Sequence, residues 1–184
     1  MNSRRPVHSI SSALMPELTL AHLQLGNLLL QEGDAAGARA EFEAAVEQER
    51  TNEMAWRALA YARKAAGDRR AAMATLRQAL QACPDSVVLR NSLAWELATD
   101  PATSLEGLGE SEALAEECVA RDPENAGYHD TWAAVLARQG RFGEARERAV
   151  RALQLARKNG SARDVEMVER NLRRYEADQP YTEP

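Results

Sequence analysis

Residues 53–86 read EMAWRALAYARKAAGDRRAAMATLRQALQACPDS. Trp56, Leu59, Ala60 and Ala62 recur at helical spacing, and Gly67 and Asp68 interrupt them. Ala72, Leu76, Ala79 and Leu80 then carry a second apolar face, which Pro84 ends. The pattern predicts a helix, a tight turn and a second helix. Glycine suits the turn because a helix commonly ends on a left-handed residue, which glycine adopts without a Cβ penalty. Neither helix can bury its apolar face alone, so the unit makes sense only beside copies of itself. Such copies exist. Leu25, Leu59 and Leu93 recur at an interval of 34, as do Gly26, Ala60 and Ala94, and the turn glycines Gly33 and Gly67.

Upstream, Pro16 is expected to open a helix reaching about residue 32, with Leu18, Leu25, Gly26, Leu28 and Leu29 towards the core. A second helix over about 35–49 puts Ala38, Phe42, Ala45 and Val46 on one face. Downstream, Leu89, Leu93, Ala94 and Leu97 mark a helix over about 85–98. Leu93 and its counterpart Trp132 are 39 apart, so five extra residues are expected in the turn TDPATSLEGLGES before a helix at about 112–121. Trp132, Ala133, Leu136, Gly140, Ala145, Ala149, Ala152 and Leu153 form another unit, with Phe142 under its turn. In SARDVEMVERNLRRYEAD, Val165, Val168, Leu172 and Tyr175 make one apolar side and charges cover the rest. That composition suits a helix capping the open end of a stack.

The spacing of Trp56, Leu59, Ala60, Gly67, Ala72, Ala79 and Pro84 resembles the tetratricopeptide repeat (TPR) family. Departures are His22 where the family prefers Trp, Arg50 where it prefers Pro, and Arg63 where a large apolar residue is usual. The resemblance implies an all-α, right-handed superhelical solenoid of four helix-turn-helix repeats with a C-terminal capping helix. The expected layout is a flexible tail at 1–15, a TPR domain at 16–178 and a short tail at 179–184. Within the domain lie repeats at about 19–52, 53–86, 87–125 and 126–159, and the cap at about 161–177.

In the family the first helix of each pair lines a concave groove. The matching positions include Leu20, Leu23, Asn27, Leu30 and Gln31 in repeat one and Met54, Arg57, Tyr61 and Lys64 in repeat two. Repeats three and four offer Val88, Asn91, Trp95, Thr99, Asp130, Ala134 and Arg138. The expected partner-binding set is Asn27, Arg57, Tyr61, Lys64, Asn91, Trp95, Asp130 and Arg138. Asparagines donate to and accept from a peptide backbone. Arg57 can pair with a carboxylate. Tyr61 and Trp95 offer rigid apolar area with a polar edge, although Trp95 equally fits packing between repeats. The resemblance therefore implies a non-enzymatic scaffold for a protein or peptide partner. A self-associating module, working through solenoid ends or the convex face, is the alternative. Some relatives clamp acidic chaperone tails with a Lys one turn before an Asn; Leu23 stands there before Asn27.

Composition narrows the classes. A net charge of −5 lacks the basic excess of a phosphate-neutralising nucleic-acid binder. Cys83 and Cys118 form no disulfide framework and match no metal spacing. No cofactor or metal is expected. Catalytic motifs are absent from the sequence, and His129 beside Asp130 reads as a surface or packing residue, because neighbours on a helix diverge. No apolar run suits membrane insertion. The opening MNSRRPVHS lacks the apolar stretch of an export signal, which makes cytoplasmic location the default expectation.

Overall fold

The computed structural model describes the backbone of residues 8–183 and the side chains of residues 17–183. All regular structure among these residues is helical: α1 (His8–Gln31), α2 (Ala35–Gln48), α3 (Glu53–Ala65), α4 (Arg69–Ala82), α5 (Val87–Thr99), α6 (Leu105–Arg121), α7 (Ala126–Arg138), α8 (Phe142–Lys158) and α9 (Ala162–Glu176). The chain divides into two compact units, residues 1–85 and 86–184.

Local chemistry punctuates the helices. Asp34, Asn52, Asp68, Ser86, Ser104, Asn125 and Ser161 each accept a backbone N–H in the first turn of α2, α3, α4, α5, α6, α7 and α9. Gly33 and Gly67 sit at φ 84° and Gly140 at φ 78°, the left-handed region that lets the chain reverse between paired helices.

In the first unit, α1 packs on α2, and α3 packs on α2 and α4. Its core joins Leu23, Ala38, Phe42, Ala45, Val46, Ala55, Leu59 and Ala62. Leu18, Leu25 and Leu28, expected in that core, are exposed, and Leu23, expected beside the groove, is buried. The exposed leucines fall on the side of α1 that α2 and α3 leave uncovered. Helix α1 also begins before Pro16. The expected 1–15 tail thus falls partly on α1 and partly on residues 1–7, which lie outside the described residues. Arg63 answers the missing apolar residue of its repeat by reaching Thr75 Oγ1 at 2.6 Å and Glu43 Oε1 at 3.0 Å.

In the second unit, α5 pairs with α6 and α7 with α8, while α7 contacts α5 and α9. The expected long turn is mostly helix. Ser104 caps α6 on Gly107 N–H, and α6 starts at Leu105 instead of residue 112, running through Gly107 and Gly109. The connection shrinks to residues 100–104, where Asp100 holds Ala102 N–H in a local turn at 2.9 Å. Buried Ser111 donates to the Ala94 carbonyl at 2.7 Å, tying α6 to α5.

Candidate functional site

The first helices of the pairs carry the expected contact residues. In the first unit, Asn27 is exposed on α1. Helix α3 presents Arg57, Tyr61 and Lys64 at i, i+4, i+7 spacing; Tyr61 is 60% exposed, and Met54, one turn before Arg57, is also exposed.

In the second unit three of the expected residues converge. Asn91 and Trp95 of α5, with Asp130 of α7, line one cavity of about 330 Å³. Gly127 and Thr131 of α7, Met167, Arg170 and Asn171 of α9, and Tyr181 and Glu183 beyond α9 complete it. At its floor, Asp130 is only 1% exposed and accepts the Asn171 amide through both carboxylate oxygens, each at 3.2 Å. Burial pushes the Asp130 carboxyl up to about 6, while the Asn171 hydrogen bond pulls the other way. The Oδ1 atoms of Asn91 and Asn171 are buried without a hydrogen-bond partner, as is the Tyr175 hydroxyl behind them. The same burial, with Asp130 nearby, raises the Tyr175 phenol. The amide oxygens of Asn91 and Asn171 are thus acceptors without donors, and the Tyr175 hydroxyl can donate or accept.

Trp95 stands at the mouth, half-buried, with its ring 5.7 Å from that of Tyr181 and its indole N–H directed at Glu183 Oε1 at 3.4 Å. Arg138 points elsewhere. Its guanidinium donates to the Ala98 and Asp100 carbonyls at 3.1 and 2.8 Å, closing the C-terminal end of α5. His129 is buried and hydrogen-bonds the Pro123 carbonyl through Nε2 at 3.0 Å; burial lowers its pKa. Among the described residues no group of three or more His, Cys, Asp or Glu could hold a metal ion. No helix among them is long and apolar enough to cross a membrane.

Sequence reasoning missed Met167, Arg170, Asn171, Tyr181 and Glu183, because α9 read as a cap and 179–184 as a tail. One signal was available. Asn171 interrupts the apolar side of α9 next to Val168, Leu172 and Tyr175, where a plain cap has no use for an amide.

The architecture matches solved structures. Pseudomonas aeruginosa PilF superposes with a TM-score of 0.65 at 21% identity, covering 89% of this chain and 76% of that one. PilW, described as a widely conserved type IV pilus biogenesis factor, gives 0.63 at 22% identity over 86% of this chain and 78% of its own. A thermophilic TPR protein of Thermus thermophilus gives 0.62 at 16% identity over 87% and 98%. No curated protein sequence matches the chain. Sequence models of the tetratricopeptide repeat match residues 20–52 and 53–95. The chain carries tetratricopeptide repeats. Residues 20–95 thus carry the repeat signature, while the cavity lies in this TPR protein's second unit, where α5, α7 and α9 contribute side chains to one wall.

Proposed function

We propose that this TPR protein is a non-enzymatic scaffold that binds a segment of a protein partner on its first-helix face. In the second unit the contact set is Asn91, Trp95 and Asp130; in the first it is Arg57, Tyr61 and Lys64 on α3, with Asn27 on α1. The observation that carries the reading is the convergence of Asn91, Trp95, Asp130 and Asn171 on one cavity, with buried acceptors lacking donors. A peptide supplies donors from its backbone and apolar area for Trp95. The mechanism is preorganisation: side chains held by packed helices lose little freedom when a partner docks. Arg138 stays in the proposal as a positioning residue, since it fixes the end of the helix that bears Trp95.

A photo-crosslinking side chain tests this. Placed at Arg170, exposed on the cavity rim, it is expected to trap a partner protein in the native cell; placed at Val150, exposed on α8, it is expected to trap none. Trapping from Val150 alone would sink the reading.

One observation favours a second reading, self-association through a solenoid end. Leu18, Leu25 and Leu28 form an exposed apolar stripe on α1. Sedimentation at rising concentration, with Leu25→Glu as control, checks it; a concentration-independent monomer removes it.

A further inference from the structure

The segment after α9 does not trail away from the domain. Asp178 adopts φ 52°, the left-handed conformation that ends a helix and reverses the chain. Gln179 N–H returns to the Arg174 carbonyl at 2.9 Å. Arg146 of α8 holds this turn from outside, donating to the Tyr175 carbonyl and to Asp178 Oδ1, both at 3.0 Å. Pro180 biases Gln179 towards extended backbone. The reversal is therefore specified by named residues.

It delivers the chain to the mouth of the cavity. Tyr181 lies against Trp95 and packs on the cluster containing Ala133 and Leu136. Arg174 sits over the Tyr181 ring, 5.6 Å from its centre. Glu183 N–H donates to the Thr99 carbonyl at 3.0 Å, one of the carbonyls left over at the end of α5. The Glu183 carboxylate receives the Trp95 indole N–H. An aromatic ring, a main-chain bond and an acidic group thus engage α5 within three consecutive residues. The floor remains unanswered, because Asn91 and Asn171 keep acceptors without donors.

We propose that residues 179–183 are a tethered occupant of the TPR site, displaced by a partner segment that carries an aromatic residue two positions before an acidic one. This rests on the peptide-binding reading of the same cavity and adds the ligand's chemistry and its regulation. The tether gives the segment an effective concentration on the order of millimolar, so a free partner meets a site that is mostly closed. A partner wins by adding what the segment lacks, a donor that reaches the Asn171 amide oxygen and the Asp130 carboxylate.

The chain's own sequence supplies the probe. A fluorescent peptide Gln-Pro-Tyr-Thr-Glu-Pro is titrated by anisotropy against the full chain and against a full-length Tyr181→Ala/Glu183→Ala variant whose helicity is confirmed by circular dichroism. The variant is expected to bind the peptide about tenfold more tightly, since its site is open for a larger fraction of the time. The same peptide carrying the Tyr181→Ala change is expected to lose that binding, and this arm leaves the protein untouched. Equal affinity for both chains, no binding to the opened variant, or equal binding of the altered peptide would each overturn the proposal. Crosslinking from Arg170 reads the site independently: a trapped partner alongside a failed peptide titration leaves the scaffold standing and removes only the tethered occupant.

Discussion

Asp130 is a carboxylate with almost no access to water, held by a single amide. Its pKa in the folded chain, about 6, lies above the ordinary 3.8. The folded protein therefore binds the proton more tightly than the unfolded chain does. Stability from this group is fully present below the unfolded value and is lost as pH rises through the folded one, which places the loss between about pH 4 and 6. Asp130→Asn is expected to remove that slope and to stabilise the protein at neutral pH by about 3 kcal/mol, since the shift spans about two pKa units, each worth about 1.4 kcal/mol. Urea unfolding at both ends of the window measures it, and an unchanged slope would count against the assignment. The two thiols offer a second residue-level prediction. Cys118 is fully buried and its thiol is pushed up to about 11 by burial, then by Glu117; Cys83 is half-buried. A thiol reagent is expected to modify Cys83 in the native protein and to reach Cys118 only on unfolding. The burial of Cys118 could be read from its place in an apolar stripe. That of Asp130 could not, because its partner Asn171 is 41 residues away in the chain.

At the scale of the element, the helix ends were legible and their lengths less so. Turn glycines and capping Asp, Asn and Ser act within one turn of chain, so spacing alone exposes them. The start of α6 was hidden because Gly107 and Gly109 look like turn residues, although Ser104 caps a helix that runs through both. The exposed leucines of α1 misled for another reason: an apolar stripe shows that a face wants burial, not that a neighbour covers it. Two glycines with opposite surroundings give a paired test. A Cβ added at Gly26 would overlap the ring of buried Phe42, whereas one added at Gly109 meets nothing within 4 Å. Alanine in a helix gains about 1 kcal/mol over glycine, and forcing a packed aromatic aside costs about 1–3 kcal/mol. Gly109→Ala is thus expected to raise the unfolding midpoint and Gly26→Ala to lower it. The opposite order would mean that Phe42 relocates freely.

At the scale of the whole molecule, the repeat register exposed an all-α solenoid because identical intervals of 34 imply one unit used again. The cavity was only half legible. Its α5 and α7 walls follow from repeat positions, but α9 and the segment beyond it lie outside the repeat pattern. Because the second unit holds its own core, residues 86–184 made alone are expected to stay helical and to unfold cooperatively. Circular dichroism during thermal unfolding checks this, and a broad, featureless melt would argue against it. The left-handed turn at Asp178 has a practical corollary for anyone hunting partners. A purification handle fused behind residue 184 would be carried by that turn towards the very doorway through which prey must enter. Baits labelled at opposite ends should therefore return different catches, and the handle at the front of the chain is the one to believe.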